Sequence, residues 1–421
     1  MHYGIVAIGS RGDVQPYMAL ALGLMDRGHK VTLMAHENFK AFVEGFGISF
    51  YPLEGDVENI LHSAEAHQVL QSGRFIDFAR YMQKNIERTK LEVTRDIWAG
   101  SENADVLVSS LLALPWIFSI AEKMHKKWAI VQLNLPTVPT AAFPLAAIDF
   151  FDFPAFNKLS YRLFEIFHWL NNKKPVNEFR QRLGLAPLKT PIIQQIADQK
   201  ILNIYCFSPA LRARPSDWPS QADITGFLFL PKEKRKINPQ EDIPPALLRW
   251  MEDGHDPIYI GFGSIPIPDP KKFERILTDI LNSTTHRFIF CQGWSMPMDL
   301  PMHTRLFQIK SVNHEWLFPR CRAAITHGGV GTTAAVLRAG IPLIIVSIIA
   351  DQPWMGKIIE AKLTGVHIPF RKLTKEKLLS AIADTETVEM RREAFRLGEQ
   401  IRRENGLKKT IDHLEKYFCT D

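Results

Sequence analysis

Cysteine is scarce in this chain. Four residues, Cys206, Cys291, Cys321 and Cys419, stand far apart in 421. No two of them have metal-ligand spacing, and so few thiols suit a reducing compartment. Long apolar runs are missing as well. The longest, Ile341–Ala350, is too short to cross a bilayer. The N-terminus shows no basic segment followed by a cleavable apolar core, so no signal peptide is expected. These absences predict a cytoplasmic protein. There is no short-period repeat and no low-complexity tract. Neither sign of charge dominates: the net charge is +6 and the pI about 9.0. Such a balance permits attraction to anionic lipids or nucleotides without demanding either. The tightest basic cluster, Lys232, Lys234, Arg235 and Lys236, reads as a solvated linker, and no nucleic-acid partner is expected.

Two missing motifs narrow the chemistry. The dinucleotide fingerprint Gly-x-Gly-x-x-Gly is absent from the first turn, where only Gly9 and Gly12 stand. Asp13 would also put a carboxylate where a pyrophosphate should dock, which disfavours a dinucleotide oxidoreductase. No Asp-x-Asp metal motif occurs, in keeping with chemistry that needs neither metal nor cofactor.

What is present is an ordinary globular composition, 46% hydrophobic and 23% charged. The length suits two domains of roughly 200 residues each. Apolar runs alternate with helical patterns in both halves, which predicts an α/β fold with doubly wound parallel sheets. In the first half, strands are expected at Tyr3–Ile8, Lys30–Ala35, Ile48–Leu53, Asp105–Ser109 and Trp128–Gln132, with helices at Val14–Arg27, Leu114–His125 and Asp77–Trp98. The last of these carries an apolar face with Phe78, Tyr81, Ile86 and Val93. The charged, proline-bearing stretch 231–245 reads as a linker between domains 1–230 and 246–405, and 406–421 as a terminal helix returning to the first domain.

The segment Thr326–Gln352 organises the second half. A short strand ends at His327. Gly328, Gly329 and Gly331 permit a tight turn, a helix carries Thr332, and Gly340 closes it. The next strand ends at Asp351-Gln352. The turn aims backbone N–H groups and a positive helix end at one spot, which suits a diphosphate. A carboxylate and an amide at the carboxyl end of the following strand suit a polyhydroxy group. Phosphate plus hydroxyls suggests a nucleotide sugar.

This segment resembles the donor-binding motif of family 1 glycosyltransferases of the GT-B fold, two facing Rossmann-like domains with an interdomain cleft. It is most similar to the branch holding sterol 3-β-glucosyltransferases, antibiotic-aglycone glucosyltransferases and rhamnosyltransferases. Gly9-Ser10-Arg11-Gly12-Asp13-Val14-Gln15-Pro16 and Trp316-Leu317-Phe318-Pro319-Arg320-Cys321 share in the likeness, which weakens between about Gly55 and Lys200. The resemblance implies a metal-independent, inverting transfer of a hexose from a UDP-sugar, UDP-glucose first, to a hydroxyl of a sterol, lipid or polyketide-type aglycone. His327 and Thr332, with the Gly328, Gly329 and Gly331 backbone, would hold the diphosphate. Asp351 and Gln352 would hold sugar hydroxyls. Ser264, in the loop Gly261-Phe262-Gly263-Ser264, would touch phosphate, and the backbone at Val312 would read the base edge. The branch has proline where this chain has Asn313, so base selection stays open, and His314 and Trp316 have a structural alternative. Gly-Asp-x-x-Pro is the branch's form of the first-domain motif, and it implies that Asp13 is the general base. By position alone Asp13 reads as a helix cap. Ser10 and Arg11 are candidates to line the acceptor side.

The aromatic segment 143–170, with Phe143, Phe150 and Phe153, has three readings: an apolar acceptor pocket, a peripheral membrane contact, or core. Rhamnosyl transfer to a lipid, a nucleotide-sugar epimerase and a non-catalytic binding protein of the same fold stay as alternatives.

Overall fold

The computed structural model describes residues 1–133, 136–146, 148, 151–235, 243–293, 298 and 300–419, apart from the side chains of Phe75, Ile76, Ile86 and Glu87. Two compact units divide the chain. The first comprises Met1–Asp56, Lys84–Lys234 and Glu404–Asp421; the second comprises Val57–Gln83 and Arg235–Arg403. Val57–Gln83 therefore departs from the expected 1–230 boundary. Its helix Ala64–Ser72 packs in the second unit, where Leu70 joins the core and Gln71 Nε2 donates to the Pro268 carbonyl at 2.9 Å. Of the apolar face expected around this region, Tyr81 is buried with its hydroxyl on the Ile60 carbonyl; Ile86 lies outside the described side chains.

The first unit is built on seven parallel strands: β1 His2–Val6, β2 Lys30–His36, β3 Ser49–Leu53, β4 Val106–Ser109, β5 Lys127–Gln132, β6 Asn203–Tyr205 and β7 Ala222–Ile224. Their order is β3-β2-β1-β4-β5-β6-β7. β1, β4 and β5 read as near-continuous apolar runs because both sheet faces are covered. The second unit has six parallel strands: β8 Ile258–Gly261, β9 Phe288–Cys291, β10 Leu306–Ile309, β11 Ala323–Thr326, β12 Leu343–Ser347 and β13 Gly365–Pro369. Their order is β10-β9-β8-β11-β12-β13. Both orders reverse direction beside the first strand, between β1 and β4 and between β8 and β11. In doubly wound sheets, ligands bind outside the carboxyl ends of the strands at such a reversal.

Strands and helices fall within a few residues of the sequence expectations. The clearest difference is the aromatic segment, expected to become helical near Lys158. The helix starts at Pro154 and runs to Arg182, because a proline at the first helical position gives up no intrahelical bond. Of the expected linker, Lys232–Arg235 forms a short helix, and 236–242 lie outside the described residues.

The terminal helix Gly406–Cys419 belongs to the first unit. A Cβ at Gly406 would lie 2.5 Å from the Gly226 carbonyl carbon, and Thr410 shares a 2.8 Å hydrogen bond with Thr225. Arg27 reaches Asp412 and Glu415 at 2.6 and 2.5 Å, an exposed arrangement worth little. Backbone contact through glycine is what sets this docking. Gly406→Val is expected to destabilise the fold by about 3 kcal/mol, the upper end of ordinary overpacking, read as a lowered midpoint in urea. An unchanged midpoint would mean that the helix docks without this contact.

Candidate functional site

In the first unit, β1 runs through Ala7 and Ile8 into Gly9, whose φ of 139° is open to glycine. Ser10 follows as the N-cap of the helix Arg11–Asp26. Asp13 stands in that helix's first turn. Its Oδ2 accepts from Ser10 N at 2.8 Å and from Ser10 Oγ at 3.0 Å, so the expected capping role is real geometry. The same carboxyl is largely desolvated. Burial pushes its pKa up from the ordinary range, against the lowering effect of the two Ser10 bonds. Gly9 makes room for it, since a Cβ there would lie 2.4 Å from Asp13 Oδ2. Asp13 is thus both a cap and a carboxylate with raised proton affinity, the property a general base needs. Ser10 is held by Asp13. Arg11 opens the same helix, with its guanidinium 4.3 Å from the Phe42 ring centroid.

In the second unit, the carboxyl ends of β8 and β11 meet at the strand-order reversal, with Thr326 opposite Gly261. His327 leaves β11 and is buried at 5% exposure. Glycines flank its ring. A Cβ at Gly263 would lie 3.0 Å from His327 Cε1, and one at Gly329 would lie 2.3 Å from Nε2. The loop carrying Ser264 is thereby brought against His327. Among the described residues His327 Nδ1 has no hydrogen-bond partner, and burial pulls the imidazole pKa down to about 4. The ring is neutral at physiological pH, so it can serve as a hydrogen-bond donor without bringing a charge. A ¹⁵N-histidine titration of the free protein is expected to show His327 neutral until about pH 4; protonation near the ordinary value of about 6.5 would contradict that burial.

Gly328, at φ 92°, closes the turn. Its N–H donates to Thr326 Oγ1 at 3.2 Å, so it is engaged within the turn. A Cβ there would lie 2.8 Å from Ile345 and 3.4 Å from Gln352 Cβ, which brings β12 and Gln352 alongside. Gly329 is the N-cap of the helix Val330–Ala339, and Thr333 N donates to its carbonyl at 2.9 Å. The N–H groups of Val330, Gly331 and Thr332 open that helix without intrahelical partners. They make an anion-receptive end beside a neutral histidine.

After β12 the chain turns through Ala350, a non-glycine at φ 61°. Gln352 holds this turn: its Oε1 accepts from Ile348 N at 2.7 Å and Ile349 N at 3.0 Å. Sequence reasoning gave both Asp351 and Gln352 to a ligand. The structure instead spends the Gln352 side-chain oxygen on the loop, while Asp351 is the part-buried N-cap residue of the helix Gln352–Ala361. Val312 precedes the short helix His314–Leu317. Asn313 caps that helix through Oδ1 on Glu315 N and Trp316 N, at 3.0 and 3.4 Å. His314 stacks on Phe318 at 4.6 Å and meets Tyr259 Oη at 3.1 Å, a structural role.

A cavity of about 430 Å³ lies within the second unit. It borders the same β12 loop at Ser347, Ile348 and Pro353, and is closed by Lys272, Phe370 and Gln71. His327, Asp351 and Gln352 do not line it. In the first unit Phe143 is buried beneath Arg212, at 5.2 Å. Phe153 is half-exposed, 5.7 Å from Phe156, and Phe150 lies outside the described residues. Sequence reasoning missed the flanking roles of Gly9 and Gly263; each stood in a motif, but only a fold shows which side chain a glycine makes room for.

The histidine and the helix start stand at the sheet reversal of the second of two Rossmann-like domains. Solved structures place the pair in the GT-B fold. A kitacinnamycin glycotransferase matches with a TM-score of 0.73 at 14% identity, covering 99% of each chain. The spinosyn rhamnosyltransferase SpnG matches with a TM-score of 0.64 at 16% identity, covering 99% of this chain and 100% of that one. At such identities the likeness is one of fold. The glycosyltransferase family 28 N-terminal domain matches residues 3–122, and the erythromycin biosynthesis protein CIII-like C-terminal domain matches 295–406. Sterol 3-β-glucosyltransferases UGT80A2 and UGT80B1 of Arabidopsis thaliana are 34% and 33% identical over 99% and 98% of this chain, covering 66% and 68% of their own lengths. The sterol 3-β-glucosyltransferase of Komagataella phaffii is 32% identical over 97% of the chain. The chain spans about two thirds of the plant relatives and 34% of the yeast one. The chain belongs to the GT-B glycosyltransferases, in the branch that holds the sterol 3-β-glucosyltransferases.

Proposed function

We propose that this protein transfers a hexose, glucose first, from a UDP-sugar to the hydroxyl of a hydrophobic alcohol of sterol type, with inversion at the anomeric carbon. The observation that carries this reading is the constellation of His327 between Gly263 and Gly329 at the start of the helix Val330–Ala339. Its helix N–H groups and neutral imidazole suit the diphosphate of a nucleotide sugar. As the bond from the anomeric carbon to the diphosphate breaks, the nucleoside diphosphate leaves with the electron pair, and fixed donors at that end stabilise the growing charge. The acceptor oxygen attacks the opposite face of that carbon, and its proton passes to Asp13. The raised pKa of Asp13 fits that task. Asp351 is assigned to sugar hydroxyls. Gln352, whose oxygen is spent on its own loop, contributes through what remains of its amide. Ser264 and the Val312 backbone are assigned to phosphate and base. The names of the plant and yeast relatives support the acceptor class.

The test is incubation of the protein with UDP-glucose and a mixture of sterols and other lipid alcohols, with chelator present, read by mass spectrometry. A sterol gaining one hexose is expected. No transfer to any acceptor from UDP-glucose or TDP-rhamnose, with UDP-glucose still bound, would overturn the reading in favour of a binding protein. His327→Ala is expected to weaken UDP-glucose binding by about tenfold or more, the loss of a hydrogen bond to a charged group, measured by calorimetry. Unaltered affinity would remove His327 from the diphosphate site.

A further inference from the structure

The helix Pro154–Arg182 leaves a continuous apolar face uncovered. Leu159, Leu163, Ile166, Phe167 and Leu170 fall at helical spacings of four, three, one and three, which sets them on one stripe. Their exposures are 49%, 43%, 43%, 37% and 72%. This departs from a core helix, whose apolar stripe faces inward. The polar residues point the other way round: Asn157 and Ser160 are buried, with Asn157 Nδ2 on the Ala141 carbonyl and Ser160 Oγ on the Asn157 carbonyl. Large apolar side chains thus face outward along roughly 17 Å of helix at 1.5 Å per residue. At the helix start, Phe151 and Phe153 continue the face, exposed at 61% and 51% and packed on Phe156.

The border of the stripe is basic. Lys158, Arg162 and Lys173 are exposed and fall along one edge in helical projection, and exposed Lys174 follows the stripe at its C-terminal end. Glu165 is the acid nearest this edge, and Arg162 pairs with it at 2.6 Å. A Leu/Phe face edged by lysine and arginine is the pattern of a helix lying in a lipid interface. None of the described helices is long and apolar enough to cross a membrane, and a lipid contact through this stripe would run along the surface. A second copy is the poorer occupant, because self-association through this face would bring the same row of cations together.

We propose that the outward face of Pro154–Arg182, with Phe151 and Phe153, docks this protein on an anionic lipid bilayer. The apolar stripe enters the acyl boundary and the basic edge meets the headgroups. An acceptor dissolved in that bilayer would then be met where it resides. Docking is independent of the transferase reading, since it is measured without donor or acceptor.

The experiment is co-sedimentation of the full chain with phosphatidylcholine vesicles with and without phosphatidylglycerol. Wild type is expected to bind the anionic vesicles and to be released as salt rises. Leu163→Ser, Phe167→Ser and Leu170→Ser combined should weaken binding by at least about tenfold, with the circular-dichroism melt unchanged because all three are exposed. Lys158→Gln, Arg162→Gln and Lys173→Gln combined should remove most of the preference for phosphatidylglycerol. Wild type that stays in the supernatant overturns the proposal, and so does a triple serine variant that binds as wild type does. A dimer in solution that the serine variant converts to monomer also overturns it, by assigning the face to a second copy.

Discussion

Asp13→Asn is expected to lower glucosyl transfer to a sterol by about 10²–10⁴-fold, the range for loss of a general base, with UDP-glucose affinity close to wild type. The residues proposed for the donor all lie in the other unit. The substitution is informative because it separates the two roles that the structure gives this carboxyl. An amide oxygen can still accept from Ser10 N, the 2.8 Å bond that caps the helix, but it cannot take a proton. If Asp13 were only a cap, activity and stability would fall together and modestly. If it is the base, activity falls alone.

The pH dependence adds a second handle. Burial raises the Asp13 pKa, so the ionised form, which the reaction needs, is disfavoured in the folded state. The acid limb of kcat/KM is expected above the ordinary carboxylate value of about 4. For stability the sign runs the other way. A carboxyl whose folded pKa is raised costs nothing below its unfolded pKa, and destabilises increasingly as pH rises through the folded value. Asp13→Asn removes that cost. The variant is expected to melt no lower than wild type at pH 7 to 8, and any gain should vanish near pH 3. A variant that loses Tm at neutral pH as well as activity would reduce Asp13 to a cap. An unchanged turnover would remove it from the mechanism altogether.

Much of this architecture was legible in the chain because parallel strands buried on both faces are written as short apolar runs. β4, Val106–Ser109, starts one residue inside the expected Asp105–Ser109. The turn at Gly328 and the C-terminal Gly340 were legible for the same kind of reason: each has a positive φ, 92° and 78°, that favours glycine. What the sequence could not show is partnership at a distance. Val57–Gln83 lies between strands of the first sheet in the chain, yet it packs in the second unit. Gln352 was read as a sugar ligand from its place after a strand, yet its oxygen is committed to Ile348 N and Ile349 N. Its backbone neighbours are fixed only once Ala350 turns the chain at φ 61°. For the aromatic helix, composition leaves acceptor pocket, membrane contact and core open, and the fold shows Leu163 and Phe167 facing outward.

Gly329→Ala is expected to weaken UDP-glucose binding by about ten- to a hundredfold, although alanine suits the backbone there. Gly329 sits at φ −62°, ψ 141°, an ordinary extended conformation, so strain does not enter. The effect comes from contact. The new methyl would lie 2.3 Å from His327 Nε2 and 2.8 Å from Cε1, and the ring must move. It has little room, since the Gly263 backbone backs its other side, where a Cβ would already be 3.0 Å away. Displacing the imidazole from the helix start costs a hydrogen bond to a charged group, about 1.5–3 kcal/mol, which sets the fold-change by the usual factor of ten per 1.4 kcal/mol. Overpacking costs stability as well, by about 1–3 kcal/mol, so binding is measured by calorimetry well below the melting midpoint. Gly331→Ala separates contact from composition. Cβ positions at Gly263 and Gly329 meet the His327 ring, whereas Gly331 stands further along the first turn of the helix, so the same methyl there is expected to leave the ring in place. Equal losses from the two alanines would mean that the methyl acts on the ligand directly. A loss confined to Gly329→Ala would make the glycine's function the seating of the histidine.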